Sequence, residues 1–85
     1  MSTDPLEADT IAVADAWVDN VWRELVSAQR DISGGWPCTL GEARARTQAH
    51  FAQRRKKPLP PADLERVAVD AYRRARRQWL ARTTR

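Results

Sequence analysis

Apolar residues recur at alternating spacings of three and four from Ile11 to Ile32. The repeat consists of Ile11, Ala14, Val18, Val21, Leu25, Ala28 and Ile32. Such spacing places side chains along one face of an α-helix, in the a/d pattern of a heptad repeat. Asp4-Pro5-Leu6-Glu7 is typical of a helix start, and Gly34 is typical of a left-handed helix end. The sequence therefore predicts one long amphipathic helix over residues 4–33.

The apolar face of this first helix is unusually wide. At about 100° per residue, Val13 and Trp17 lie on one flank of the stripe, and Trp22 and Val26 lie on the other. One neighbouring helix cannot cover a face of that width. Either the helix is central and contacts both other helices, or part of its face is left for a partner.

Two further helices are predicted, separated by a proline linker. Thr39-Leu40-Gly41-Glu42 is a capping box that opens a helix over residues 39–56, and Pro58-Leu59-Pro60-Pro61 forbids its continuation, so residues 58–61 form a linker. A third helix over 61–82 gathers its apolar residues on one side, with Val69 and Leu80 outside that side and expected to be exposed. We expect residues 1–85 to form one small all-α, three-helix domain in which the first helix is longest and central.

Charge is divided unequally along the chain. Residues 1–33 hold seven acidic and two basic side chains, a balance of −5, whereas residues 34–85 hold thirteen basic and four acidic ones, a balance of +9. A basic half is suited to nucleic acid or to an acidic partner. The alternative is that the acidic helix lies beside the basic ones and balances them within the molecule.

The first functional hypothesis is protein binding through the broad face of helix 1. Four tryptophans accompany only one Phe and one Tyr in 85 residues, and aromatic residues beside an aliphatic seam are typical of interface cores. Trp36 precedes Pro37 and is expected to fold back over the end of the core. The sequence thus favours a small non-enzymatic binding protein that docks on a protein partner or on a second copy of itself, most simply as a dimer. The predicted interface consists of Trp17, Val18, Val21, Trp22, Leu25 and Trp36.

The alternative hypothesis is a nucleic-acid accessory protein that contacts the phosphate backbone. Clustered guanidinium groups bind phosphates through forked, charge-assisted hydrogen bonds. Asp70 lies one turn from several of these arginines, so local pairing is expected to neutralise part of the charge. Neither interhelical connection suits a helix-turn-helix, so backbone contact is expected instead of base recognition. The candidate residues are Arg66, Arg73, Arg74, Arg76 and Arg77 on helix 3, joined by Arg54, Arg55, Lys56 and Lys57.

Enzymatic chemistry is not expected. Cys38 precedes the start of helix 2, where a helix dipole can lower a thiol pKa, but His50 lies about 18 Å further along if both follow the helix. Each is expected to be structural, Cys38 as a small packing residue and His50 as a partly exposed helical one. With three glycines, one cysteine and one histidine, the chain offers no phosphate loop or metal-ligand spacing. We expect no cofactor, no metal and no small-molecule substrate.

We expect neither a membrane span nor a secretion signal in this sequence. Its first five residues combine neither a basic nor an apolar region, and no apolar run approaches the length of about 18 residues that a membrane span needs. We therefore expect a cytoplasmic protein without membrane contact.

Overall fold

A computed structural model describes residues 5–54 and 57–84 as three α-helices. They are α1 (Glu7–Ser27), α2 (Leu40–Gln53) and α3 (Pro61–Thr83). The described residues contain no strand, which confirms the predicted all-α class. Within this part of the chain, no helix is long and apolar enough to cross a membrane.

Helix α1 is shorter than predicted because a left-handed residue ends it early. The predicted cap, Asp4, lies outside the described residues, and α1 begins at Glu7. At its other end Gln29 adopts φ 55°. The Gln29 N–H donates to the carbonyl of Val26 at 3.1 Å, and the Arg30 N–H donates to that of Leu25 at 2.8 Å. This pair of bonds is a Schellman motif, so the helix stops at Ser27 and the predicted end at Ser33 is wrong.

The starts of α2 and α3 follow the predicted signals. The Thr39 side chain accepts a hydrogen bond from the Glu42 N–H at 3.3 Å, which supplies a partner for one free amide at the start of α2. Pro61 occupies the first position of α3, where its missing N–H costs no hydrogen bond. Helix α2 ends at Gln53 and not near Lys56, while α3 ends at Thr83, one residue beyond its predicted end.

The central helix is α3, not α1. It packs extensively against both other helices, whereas α1 and α2 meet only at a narrow seam. With 23 residues it is also longer than α1, which has 21. The prediction of a longest and central first helix is therefore wrong. The small buried side chains of Ala68, Ala71 and Ala75 let two neighbours approach α3 closely.

Helices α1 and α3 run parallel, and α2 runs in the opposite direction. The side chains of Asp15 and Asp19 meet those of Gln78 and Arg82 respectively, so residue numbers increase together along both helices. In contrast, His50 near the end of α2 meets Asp9 near the start of α1. The chain therefore runs up, down and up again, with its first and last helices side by side.

Indole rings fill the space where α1 and α3 meet. Trp17 and Trp79 have no solvent exposure. Trp36 folds back from the connecting loop, as predicted, and its ring centroid lies 5.0 Å from that of Trp17 and 5.5 Å from that of Trp79. The other fully or almost fully buried apolar residues are Val13, Ala14, Val18, Val21, Ala43, Phe51, Val67, Ala68, Ala71 and Ala75.

Two apolar residues of α3 outside its core side are more covered than the sequence indicates. Val69 and Leu80 were predicted to be exposed, but both are half-buried. Long side chains lie three and four positions away, among them Arg73 beside Val69 and Arg76 beside Leu80. The aliphatic stems of arginines at such helical spacings can cover an apolar neighbour while their charged ends stay in water.

Candidate functional site

Five of the six arginines of α3 lie on the side of the helix opposite its buried alanines. At about 100° per residue, Arg66, Arg73 and Arg77 point within about 40° of one another, and they extend over about 16 Å of helix. Arg74 and Arg76 lie to either side of this row. The helix thus presents all five guanidinium groups on one broad outer surface, which we call the arginine face.

A surface cleft of about 850 Å³ runs along most of the arginine face. Helix α1 forms one wall of it through Glu7 and Thr10. The remaining lining residues belong to α3 and are Asp70, Tyr72, Arg73, Arg74, Arg76 and Arg77. The structure therefore brings four of the predicted nucleic-acid-binding residues into one site.

The four arginines of the cleft have no carboxylate partner among the described residues. No ion pair joins Arg73, Arg74, Arg76 or Arg77 to an acidic side chain, and Asp70 forms none either. The prediction that Asp70 pairs with its neighbours is therefore wrong. An arginine side chain is long enough to extend past a carboxylate one turn away and to place its charge in water. The cleft retains its positive charge.

Other basic residues of the prediction are placed differently. Arg66 lies at the edge of the arginine face, 4.0 Å from Asp63. In the basic run that follows α2, Arg54 donates a hydrogen bond to His50 and Lys57 is exposed, while Arg55 and Lys56 lie outside the described residues. The two described residues of the run, Arg54 and Lys57, do not line the cleft.

Away from the cleft, arginines are tied to acidic and aromatic neighbours. Arg44 of α2 donates two hydrogen bonds to Glu65 of α3, at 2.7 and 2.8 Å. These bonds hold the pKa of Glu65 below its ordinary value. Arg82 lies 3.8 Å from Asp19, and its guanidinium carbon lies 5.2 Å from the centre of the Trp22 ring. Asp19 of the acidic first helix is thus paired with the end of α3.

The predicted protein interface divides into a buried part and a half-buried part. Trp17 and Val18 are fully buried, and Val21 is 6% exposed, because α3 covers this part of α1. Trp22, Leu25 and Trp36 are half-buried. Val26, which the prediction placed on a flank of the stripe, is 52% exposed. The free part of the α1 face is therefore the flank near its C-terminal end.

Cys38 lies in an environment that suppresses thiol chemistry. It is half-buried and packs against the tryptophan core. Burial, with a smaller contribution from the nearby Glu42 carboxylate, raises the pKa of the Cys38 thiol to about 11, so these effects outweigh the helix start. The thiol is protonated at neutral pH, which agrees with the predicted packing role.

An aspartate and a histidine form a nearly buried pair that the sequence did not reveal. His50 Nε2 and Asp9 Oδ1 lie 2.9 Å apart, with side-chain exposures of 9% and 10%. Arg54 Nε donates to His50 Nδ1 at 3.2 Å, so in the neutral ring Nε2 carries the proton and donates it to Asp9. The prediction of a partly exposed His50 missed this contact because its partner is 41 residues away.

No group of metal-binding side chains occurs in the part of the chain that the structure describes. Comparison with known proteins gives no match, since neither a family model nor a curated protein nor a solved structure is significantly similar to this chain. Two surfaces therefore remain as candidate functional sites, namely the arginine face and the exposed flank of α1.

Proposed function

We propose that the protein binds the phosphate backbone of nucleic acid through the arginine face of α3. The observation that carries the proposal is the concentration around one cleft of four arginines that have no carboxylate partner within residues 5–54 and 57–84. A guanidinium group that is already paired must give up its partner before it binds a phosphate. At Arg73, Arg74, Arg76 and Arg77 a phosphate would displace only water from the guanidinium group, so no existing ion pair with a described carboxylate has to break.

The composition of the surface supports contact with phosphates and not with bases. Arginine recognises a phosphate through paired N–H donors, and α3 offers several such groups on one rigid element. The asparagine or glutamine side chains that recognise adenine do not line the cleft. Binding of this kind is independent of sequence and has a Kd of about 10⁻⁴ to 10⁻⁶ M at physiological salt.

A salt titration with a pair of charge-matched variants tests the proposal. Four phosphate contacts correspond to a slope of about −3.6 in a plot of log affinity against log salt concentration. Binding of a fluorescent DNA duplex, followed by anisotropy, should therefore weaken steeply between about 50 and about 200 mM salt. The double variant Arg73→Glu, Arg77→Glu should lose most of this binding.

The matched control is Arg30→Glu, Arg46→Glu. It changes the net charge by the same amount at two positions outside the cleft that have no ion pair in the described structure. We expect this control to retain most of the affinity. Absence of binding by the unmodified protein at low salt would overturn the proposal, and so would an equal loss in the two variants, because net charge alone would then explain the binding.

The exposed flank of α1 favours a second candidate function, docking of a second copy of the chain. Val26 is the exposed large apolar residue of the described structure, and the half-buried Trp22 and Leu25 lie beside it on the same helix. We propose that this flank forms a symmetric contact between two α1 helices. Sedimentation should show a dimer that Val26→Asp dissociates without unfolding, whereas a monomer at every concentration would exclude self-association.

A further inference from the structure

We infer that the arginine face selects double-stranded DNA over single strands. This inference rests on the proposed function and concerns the class of nucleic acid that the same surface accepts. It follows from two observations, namely where the aromatic side chains lie and how widely the arginines are spread around α3.

Proteins that bind single strands use exposed aromatic rings as platforms for unstacked bases. Stacking of bases on such rings supplies much of the affinity, and a positively charged groove alone leaves the bases without a partner. A single-strand binder of this size therefore needs at least one open aromatic ring beside its basic surface.

This chain has no such platform. All six aromatic residues lie within the described residues, and none of them is exposed. Trp17, Trp36 and Trp79 pack against one another, and the ring of Trp22 lies between Trp79, at 5.5 Å, and the guanidinium group of Arg82. The other two aromatic residues are Phe51, which is 6% exposed, and Tyr72.

Tyr72 is the aromatic residue that lines the cleft, and its ring already packs against Trp17. The ring is half-buried, and its centroid lies 6.4 Å from that of Trp17 at a tilt of 58°. A base could stack on it only after the ring left this contact. The Tyr72 ring therefore packs against the core. In a protein that binds single strands, an aromatic ring at this position would be open to the bases.

The spread of the arginines suits two rows of phosphates. Around the axis of α3, Arg76 lies about 60° to one side of Arg73 and Arg74 lies about 100° to the other, so the guanidinium groups cover about 160°. The major groove of B-form DNA is about 12 Å wide and accepts a helix of about that diameter, with one phosphate backbone on each side. A single strand offers only one row of phosphates, so the arginines on one side of α3 would contact no phosphate.

The test compares three ligands of equal length with the full chain, namely a DNA duplex of about 20 base pairs, its RNA counterpart, and an oligothymidine strand. At one low salt concentration we expect the DNA duplex to bind at least about fivefold more tightly than oligothymidine. Tryptophan fluorescence should stay unquenched when oligothymidine is added, because Trp17 and Trp79 are fully buried and the half-buried rings of Trp22 and Trp36 pack against other indole rings.

The outcomes separate the inference from the proposed function. If no ligand binds, the proposed function fails and the inference fails with it. If oligothymidine binds as tightly as the DNA duplex, or quenches the tryptophans, the arginine face is a nucleic-acid surface but the inference is wrong. If the RNA duplex binds as tightly as the DNA duplex, the groove-width argument is overturned.

Discussion

The inner and outer faces of α3 come from one stretch of sequence, but the inner face is packed in the core and the outer face borders solvent. On the inner face Ala68, Ala71, Ala75 and Trp79 have no exposure at all. The outer face carries Arg73, Arg74, Arg76 and Arg77 around an open cleft, and no described carboxylate forms an ion pair with these four. The inner side chains are held in the packed core, whereas the charges of these four arginines are held by no described carboxylate.

This difference separates stability from function within a single helix. Close packing makes the inner face intolerant of changes in volume. The outer face contributes little to the free energy of unfolding, because exposed charges far from a partner contribute little to folding. Substitutions on the two faces should therefore have separable effects.

The largest effect is expected from the aromatic anchor of the inner face. Trp79→Ala should lower the free energy of unfolding by about 3–5 kcal/mol, since it leaves a cavity beside the indole rings of Trp22 and Trp36. The matched control is Leu80→Ala, one residue further along and half-buried, which should cost about 1 kcal/mol. Urea unfolding followed by far-UV circular dichroism measures both, and equal losses would contradict the division into two faces.

An intermediate effect is expected when volume is added to the same helix. Ala75→Leu should destabilise the fold by about 1–3 kcal/mol, because Ala75 has no exposure and its neighbours cannot make room. Ala81→Leu adds the same atoms to an exposed position and should change stability by less than about 0.5 kcal/mol. Thermal unfolding of the two variants would show similar midpoints if the interior were loosely packed.

The smallest effect is expected on the outer face. Arg73→Gln combined with Arg77→Gln should change the free energy of unfolding by less than about 0.5 kcal/mol. It removes two like charges one turn apart, so any change should be toward greater stability. Arg44→Gln, which removes the partner of Glu65, should instead lower the unfolding midpoint at neutral pH.

The pH dependence of the Arg44 variant gives the sign of this effect. Because Arg44 holds the pKa of Glu65 below its ordinary 4.5, the stabilising contribution of the pair is present above that pH and is lost as the pH falls through the lowered pKa. The unfolding midpoints of Arg44→Gln and of the unmodified protein should therefore converge in acid. A constant difference down to the lowest pH would show that Arg44 stabilises the fold by packing and not by its charge.

Local signals predicted the parts of the fold that depend on neighbouring residues in sequence. The capping residue Thr39 and the proline start of α3 were both identified from short patterns. The end of α1 was not, because the left-handed position of its Schellman motif is occupied by Gln29, where a glycine or asparagine is the usual signal. The central position of α3 was missed as well, since periodicity shows that a helix has an apolar face but not which helices cover it.

The candidate site was only partly predictable for a similar reason. Helical periodicity correctly placed Arg73 and Arg77 on one side of α3. Whether their charges are free depends on where each long side chain turns, and spacing from Asp70 suggested a pairing that the structure does not contain. The contact between Asp9 and His50 depends entirely on how α1 and α2 pack, so no local pattern indicates it.

The parallel arrangement of α1 and α3 affects the order of events during synthesis and folding. The hydrogen bond between Asp15 and Gln78 joins residues 63 positions apart. Closing so long a loop has a large entropic cost, and folding slows as the average sequence separation of contacts increases. The ribosome releases the chain from its N-terminus, so α3 emerges only after α1 and α2. Helix α1 must therefore wait, with its apolar face in water, until Trp79 has also emerged.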